Sequence, residues 1–141
     1  PKVRAELKLT DQVPPQPTAT LLRDAVLQIN AYLAGNLNRF ELPIDWMLCS
    51  PFQQRVLEVV CTIPYGQVLT YGQVAQTLGD KNALRAVGGA VAHNPMPLIV
   101  PCHRVLSPKN RLRGYSGRGG VKTKAWLLQL EGHFLVTEEL G

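Results

Sequence analysis

Between Asp80 and Glu131 the chain has no acidic side chain. Those fifty residues carry nine basic ones: Lys81, Arg85, Arg104, Lys109, Arg111, Arg113, Arg118, Lys122 and Lys124. Residues 1–80 nearly balance, with six basic and seven acidic groups, and Glu131, Glu138 and Glu139 follow the gap. The overall charge of +5 conceals this partition. An acid-free stretch is either a solvated basic face or a track for a polyanion.

Other absences narrow the field. No apolar run approaches the roughly 20 residues of a membrane span. No charged segment leads into an apolar core, so no secretory signal is visible. There are three cysteines, Cys49, Cys61 and Cys102, and no C-x-x-C pair. An odd, scattered set argues against a disulfide framework and predicts a reducing intracellular setting, cytoplasmic or, in a eukaryote, nuclear. His93, His103 and His133 have no zinc-like spacing to the cysteines, and neither Cys nor His precedes Cys49. No metal or organic cofactor is expected. The chain begins at Pro1, which reads as a processed or trimmed end. What remains is 141 residues, 45% hydrophobic and 18% charged. That suits one globular domain, or one with a small partner, able to bury a core without disulfide staples.

Lys2 to Leu9 alternates loosely, as an edge strand would, and Asp11 to Pro17 reads as linker. Thr20 offers an N-cap to a helix whose apolar positions Leu21, Leu22, Ala25, Val26, Ile29 and Leu33 share one face for a core, ended by Gly35 and Asn36. Ser50-Pro51-Phe52-Gln53 predicts a second helix start, with Ser50 as cap and Gln53 closing a capping box, and Pro64 ends that helix. Thr70 and Gln73 repeat the spacing and open a short helix through Leu78, stopped by Gly79. Asn82 can cap the next, Ala83 to Ala92. Two short helices so joined form a helix-turn-helix pattern. The second is rich in Gly and Ala, which suits either tight internal packing or close approach by another molecule. Leu98-Ile99-Val100 predicts a short extended run leading into Cys102. Residues 107–120 form a basic, Gly-rich loop, and Val121 to Leu130 a last helix.

Cys102 and His103 are neighbours. A thiol is a nucleophile only as thiolate, so it needs a base, and the base needs a third group to orient it. His103 can be the base, and Glu131 is the first carboxylate beyond the acid-free stretch. Taken alone, Cys102 reads more readily as a packed core thiol, since free cysteine is among the most buried residue types.

Ile99-Val100-Pro101-Cys102-His103-Arg104-Val105 resembles the active-site signature of the O6-alkylguanine-DNA alkyltransferases. In the same order and spacing come Thr70-Tyr71-Gly72-Gln73-Val74-Ala75, Arg85-Ala86-Val87-Gly88-Gly89-Ala90, Asn94-Pro95, Gly114-Tyr115-Ser116-Gly117, and Trp126-Leu127-Leu128 with Glu131-Gly132. The match covers about residues 50–133. It implies an α+β protein: a short or truncated N-terminal α/β part (1–46), then a mainly helical domain (47–141) with a winged-helix-like helix-turn-helix. It implies minor-groove binding and base flipping. Arg85 matches the finger that fills the vacated stack, with Ala86, Gly89 and Ala90 along the groove and Asn94 as a brace. Cys102 matches the alkyl acceptor, His103 its base acting through water, Glu131 the partner of His103, and Tyr71 the proton donor. Tyr115, Ser116, Gly117, Pro97 and Val105 match the base pocket. The implied reaction is irreversible, single-use transfer from O6 of guanine, and from O4 of thymine, without a cofactor. The implied partner is double-stranded DNA bearing O6-alkylguanine, met by a monomer able to cluster on DNA, with no membrane involved. Full-length members have a larger N-terminal domain, in some with zinc, whose ligands are missing here. The competing readings are a lesion-binding protein without transfer and a Cys-His hydrolase unrelated to DNA.

Overall fold

Helical apolar spacing, capped by side chains three residues apart, produces most of the architecture in the computed structural model, which describes residues 17–108 and 120–133. The described residues are mainly helical: α1 Pro17–Leu33, α2 Pro51–Cys61, α3 Tyr71–Thr77, α4 Leu84–Ala92 and α5 Gly120–Leu130. One two-stranded parallel sheet joins β1 Leu69–Thr70 to β2 Val105–Leu106, with Leu69 opposite Val105. None of the described helices is long and apolar enough to cross a membrane.

The chain divides into two compact units, Pro1–Ile44 and Asp45–Gly141. In the first, α1 starts at Pro17, three residues before the Thr20 cap that the sequence suggests. Proline lacks an N–H that a first turn could not use, so it extends the helix backwards. Gly35, at φ +80, ends it, with its N–H donating to Tyr32 O and that of Asn36 to Ala31 O. The anticipated core stripe is only partly inward: Tyr32 is fully buried, but Leu21 and Leu33 are each 42% exposed. The chain after α1 returns along it, with the Gln28 amide bonded to both backbone groups of Glu41 and the Tyr32 ring 5.3 Å from that of Phe40. The described part of this unit holds no strand, and the alternating run Lys2 to Leu9 lies outside the described residues.

In the second unit Ser50 caps α2 by accepting from Gln53 N–H, with Pro51 in the first turn. Val56, Leu57 and Val60 of α2 are buried, as are Val74 and Ala75 of α3 and Val87, Ala90 and Val91 of α4. Leu106 and Leu128 form a second cluster under Val68, Val121 and Ala125, tying β2 to α5. Each of the fully buried valines and leucines among them contributes roughly 1.5–3 kcal/mol. The Thr70 capping box on α3 is complete. The turn after α3 departs from expectation. Asp80, not Asn82, does the capping: its carboxylate accepts from Asn82 N–H over a 3-10 turn, Lys81–Ala83, and α4 follows with no side-chain cap.

Candidate active site

The sequence around Cys102 allows an extended run, but the backbone turns twice there. Val100 N–H closes onto Met96 O with Leu98 in the left-handed region at φ +78. That conformation is uncommon for a residue with a side chain. Pro101 then sits at φ −79, ψ 62, and Cys102 N–H bonds back to Val100 O at 2.7 Å. This is an inverse γ-turn, which the fixed φ of proline favours. Cys102–Arg104 continue as a single 3-10 turn. With three residues per turn, the Cys102, His103 and Arg104 side chains fan out in three directions instead of alternating.

All three directions lead inward. Cys102 is 2% exposed, His103 0% and Arg104 7%. His103 Nε2 lies 2.7 Å from Glu131 Oε2. Arg104 grips the same carboxylate as a fork, Nε to Oε1 at 2.8 Å and Nη2 to Oε2 at 3.0 Å. Its third nitrogen, Nη1, donates to Ile63 O at 2.7 Å, and the Tyr65 ring lies 5.8 Å beneath the guanidinium. Gly66 N–H also donates to Glu131 Oε1. Gly66 is at φ +80, and a Cβ there would stand 3.0 Å from the Glu131 carbonyl oxygen, so only glycine lets α5 end this close. Tyr65 Oη–H completes the seat by donating to Leu130 O.

A carboxylate paired with a guanidinium accepts, so His103 Nε2 carries the proton and Nδ1 presents its lone pair. Nδ1 is buried and meets no protein hydrogen-bond partner. Burial holds the His103 pKa below the usual imidazole range, against the hydrogen bond and charge of Glu131, while Arg104 and Lys124 add to the lowering. The site therefore holds a neutral, oriented base beside a buried thiol. Tyr71, half-buried at the start of α3, has its phenol pushed above the ordinary value of 10 by burial first and by the charge of Cys102 second, so it keeps a proton to give. At Cys61, desolvation and the neighbouring Glu58 push the thiol up to about 11 against the charge of Arg104, which makes it a poor nucleophile.

The two helices of the turn motif reach this site through polar ties. Asn94, 4% exposed, donates from Nδ2 to Val100 O, the oxygen that also holds Cys102 N–H, and accepts from Met96 N–H. It joins the end of α4 to the Cys102 turn. The spacing from Ser50 predicts that Gln53 closes a capping box. Instead its amide spans to α4 and donates to Ala90 O and His93 O, where two orphan carbonyls outbid the cap. Arg85, Ala86 and Gly89 lie on the exposed face of α4, whereas Ala90, anticipated beside Gly89, faces inward. A Cβ added to Gly88 or Gly89 would meet nothing within 4 Å, so internal packing does not require these glycines. Val105 is fully buried in β2 and Pro97 half-buried. Tyr115, Ser116 and Gly117 lie outside the described residues.

Sequence reasoning missed three residues here. Arg104 and Lys124 count towards the basic track, yet both are buried, Lys124 at 1% exposure. Of the nine basic groups, Lys81, Arg85 and Lys122 are the described ones exposed to solvent. Gln53 carried a local signal that pointed elsewhere. Among the described residues no group of three His, Cys, Asp or Glu side chains is placed to hold a metal ion.

A family profile described as "6-O-methylguanine DNA methyltransferase, DNA binding domain" matches residues 51–133. The methylated-DNA–protein-cysteine methyltransferase of Mycobacterium bovis is 48% identical over 107 residues, 76% of this chain and 63% of that protein. The Mycobacterium leprae protein of the same name is 46% identical over 81% of this chain and 67% of its own length. The chain thus spans somewhat under two thirds of the length of the first of these relatives. A crystal structure of Mycobacterium tuberculosis OGT in complex with DNA superposes with a TM-score of 0.74 at 46% identity, over 79% of this chain and 66% of that one.

Proposed function

The chain belongs to the 6-O-methylguanine DNA methyltransferase family, and on that premise we propose that it repairs DNA by moving an alkyl group from O6 of guanine, and from O4 of thymine, onto Cys102. One observation carries the proposal. His103 is clamped at Nε2 by Glu131, leaving Nδ1 as a buried acceptor one residue from a buried thiol.

The thiol proton passes through a water to His103 Nδ1. The thiolate sulfur attacks the alkyl carbon, an S–C bond forms, and the C–O6 bond breaks. The electron pair stays on the guanine, and Tyr71 supplies the proton that makes it a competent leaving group. Glu131 stabilises the imidazolium, and Arg104 holds Glu131. The product is a thioether, which the neutral base beside it has no means to hydrolyse, so each chain acts once. No cofactor enters this chemistry.

On this reading α3 and α4 act as a winged-helix-like helix-turn-helix on the minor groove of lesion-bearing duplex. Arg85, exposed in the first turn of α4, fills the stack left by the flipped guanine. Ala86 and Gly89 let the sugar-phosphate walls approach. Two glycines in the helix cost roughly 1 kcal/mol each against alanine, and the space around Gly88 and Gly89, which no internal packing needs, supports close approach by the duplex. Asn94 acts as a brace between the groove helix and the Cys102 turn, not as a contact to DNA. Pro97 and Val105, with Tyr115, Ser116 and Gly117, form the base pocket. The protein works as a monomer that can cluster along DNA.

The test is intact mass after incubation with duplex containing O6-methylguanine. We expect a gain of one methyl group per chain, with no gain in Cys102→Ala. Lesion binding with an unmodified Cys102 would leave the non-transferring reading. Repeated turnover on an ester or amide would favour the hydrolase.

A further inference from the structure

His93 stands outside the mechanism above and closes the exposed stripe of α4. Arg85, Gly89 and His93 follow one another at four-residue spacing, so they share one face. All three are exposed. The His93 backbone N–H donates to Gly89 O at 3.1 Å, and its ring Nδ1 lies 2.8 Å from the same oxygen. Its own carbonyl accepts from the Gln53 amide at 3.1 Å. Backbone and side chain are both tied, and the ring is held along the stripe.

A carbonyl oxygen only accepts, so Nδ1 carries a proton and donates it. In the neutral ring Nε2 then presents a lone pair, which repels an anion. A second proton, on Nε2, turns the ring into a cation with a donor to offer. An imidazole changes charge readily between pH 5 and 8, and the carbonyl end of a helix favours the cation. The elements packed on α4 supply few competing charges. On α2 these are Arg55, over the Phe52 ring, and Glu58, beside the Cys61 thiol. On α3 the titratable group is the Tyr71 phenol. The turn before α4 carries Lys81, after Asp80, whose carboxylate caps Asn82. Among the described residues no carboxylate forms an ion pair with His93.

We propose that His93 is a proton-linked contact to the DNA backbone: its ring takes a proton from solvent onto Nε2 and donates it to a phosphate oxygen at the edge of the minor groove. Eight helical residues put it about 12 Å from Arg85, and the groove is only about 6 Å wide, with phosphates along both edges. A stripe with its finger in the base stack brings its other end beside one of those edges. Ala92, exposed next to His93, leaves the approach open. The inference rests on α4 facing the duplex. Binding to undamaged duplex involves no alkyl transfer, so the two readings fail separately.

The experiment measures the affinity of the full chain for an undamaged, fluorescently labelled DNA duplex by anisotropy, at pH 6 and pH 8 and over a range of salt. Wild type should bind roughly sixfold tighter at pH 6, with log affinity falling more steeply against log salt by about 0.9, the slope of one added phosphate contact. His93→Gln should lose both differences. His93→Arg, charged throughout, should bind more tightly than wild type at pH 8. A His93→Gln chain that keeps the wild-type dependence on pH and salt overturns the proposal, as does a His93→Arg chain that binds no tighter than wild type at pH 8. A chain that binds no duplex at either pH overturns it together with the groove assignment of α4. A second measurement needs no variant. Coupling between proton and duplex is reciprocal, so saturating duplex should raise the midpoint of the His93 ring titration, followed by NMR, by about one pH unit. An unmoved midpoint overturns the proposal.

Discussion

Arg85 and Arg104 are the same residue type on the same acid-free stretch, and the fold gives them opposite environments. Arg104 is buried, with its guanidinium nitrogens on Glu131 and the Ile63 carbonyl and a tyrosine ring beneath it. Arg85 is exposed at the start of a helix whose outward face is small. One arginine is fixed before any substrate arrives, and its task is to orient Glu131 and through it His103. The other stands in solvent, and under the proposed function the DNA duplex orders it. A chemical step gains from groups held in place beforehand, whereas a finger that enters a base stack needs room to move. Counting charges along a sequence does not separate these two uses.

Variants that act on one region and spare the other sharpen the contrast. The largest effect should come from Glu131→Gln, which strands the buried Arg104 charge. We expect a loss of about 3–5 kcal/mol in stability, read by urea unfolding, together with loss of alkyl transfer to every substrate. A loss below about 1 kcal/mol would mean the pair is no buried clamp. Arg85→Ala should leave stability unchanged. It should slow repair in duplex on the order of a hundredfold, since flipping costs a few kcal/mol, while reaction with free O6-benzylguanine stays within about twofold. Equal loss on both substrates would remove the finger from Arg85. Gly89→Ala should raise stability by up to about 1 kcal/mol, because its Cβ meets open space. Gly89→Leu should keep the fold yet weaken duplex binding, and unimpaired binding would clear α4 from the interface. The smallest effect concerns pH. The folded His103 pKa lies below 6.5 chiefly through burial. The unfolded chain therefore takes up the proton first as pH falls through 6.5, and stability declines below that point. His103→Gln should flatten this acid-side decline in a series of melts.

Much of the local structure was legible because its causes are local. Thr70 and Gln73 stand three residues apart and close their capping box as the spacing predicts. Gly35 and Gly79 end α1 and α3 at positive φ, the conformation that favours glycine. Ser50 and Gln53 show the limit. The spacing is the same and the Ser50 half forms, but the Gln53 side chain leaves for Ala90 and His93, which lie far away in sequence. Leu98-Ile99-Val100 looks extended by composition, yet the Met96–Val100 hydrogen bond folds it into a turn with Leu98 left-handed. Ala90 and Gly89 are adjacent and both small, and the packing of α2 and α3 against α4 puts one inside and the other outside.

The sequence by itself determined that Cys102 and His103 are neighbours, the Ser50 and Thr70 caps and the charge asymmetry, because each depends on residues a few positions apart. The motif resemblance then named Glu131 as the partner of His103. Tertiary structure alone decided that Arg104 faces that same carboxylate, that Lys124 lies inside over the Tyr71 ring, and that Gln53 ends α4. The reason is physical. A charged side chain has one sequence signature whether it is hydrated or buried. Burial, which reverses its meaning, depends on which distant residues pack around it.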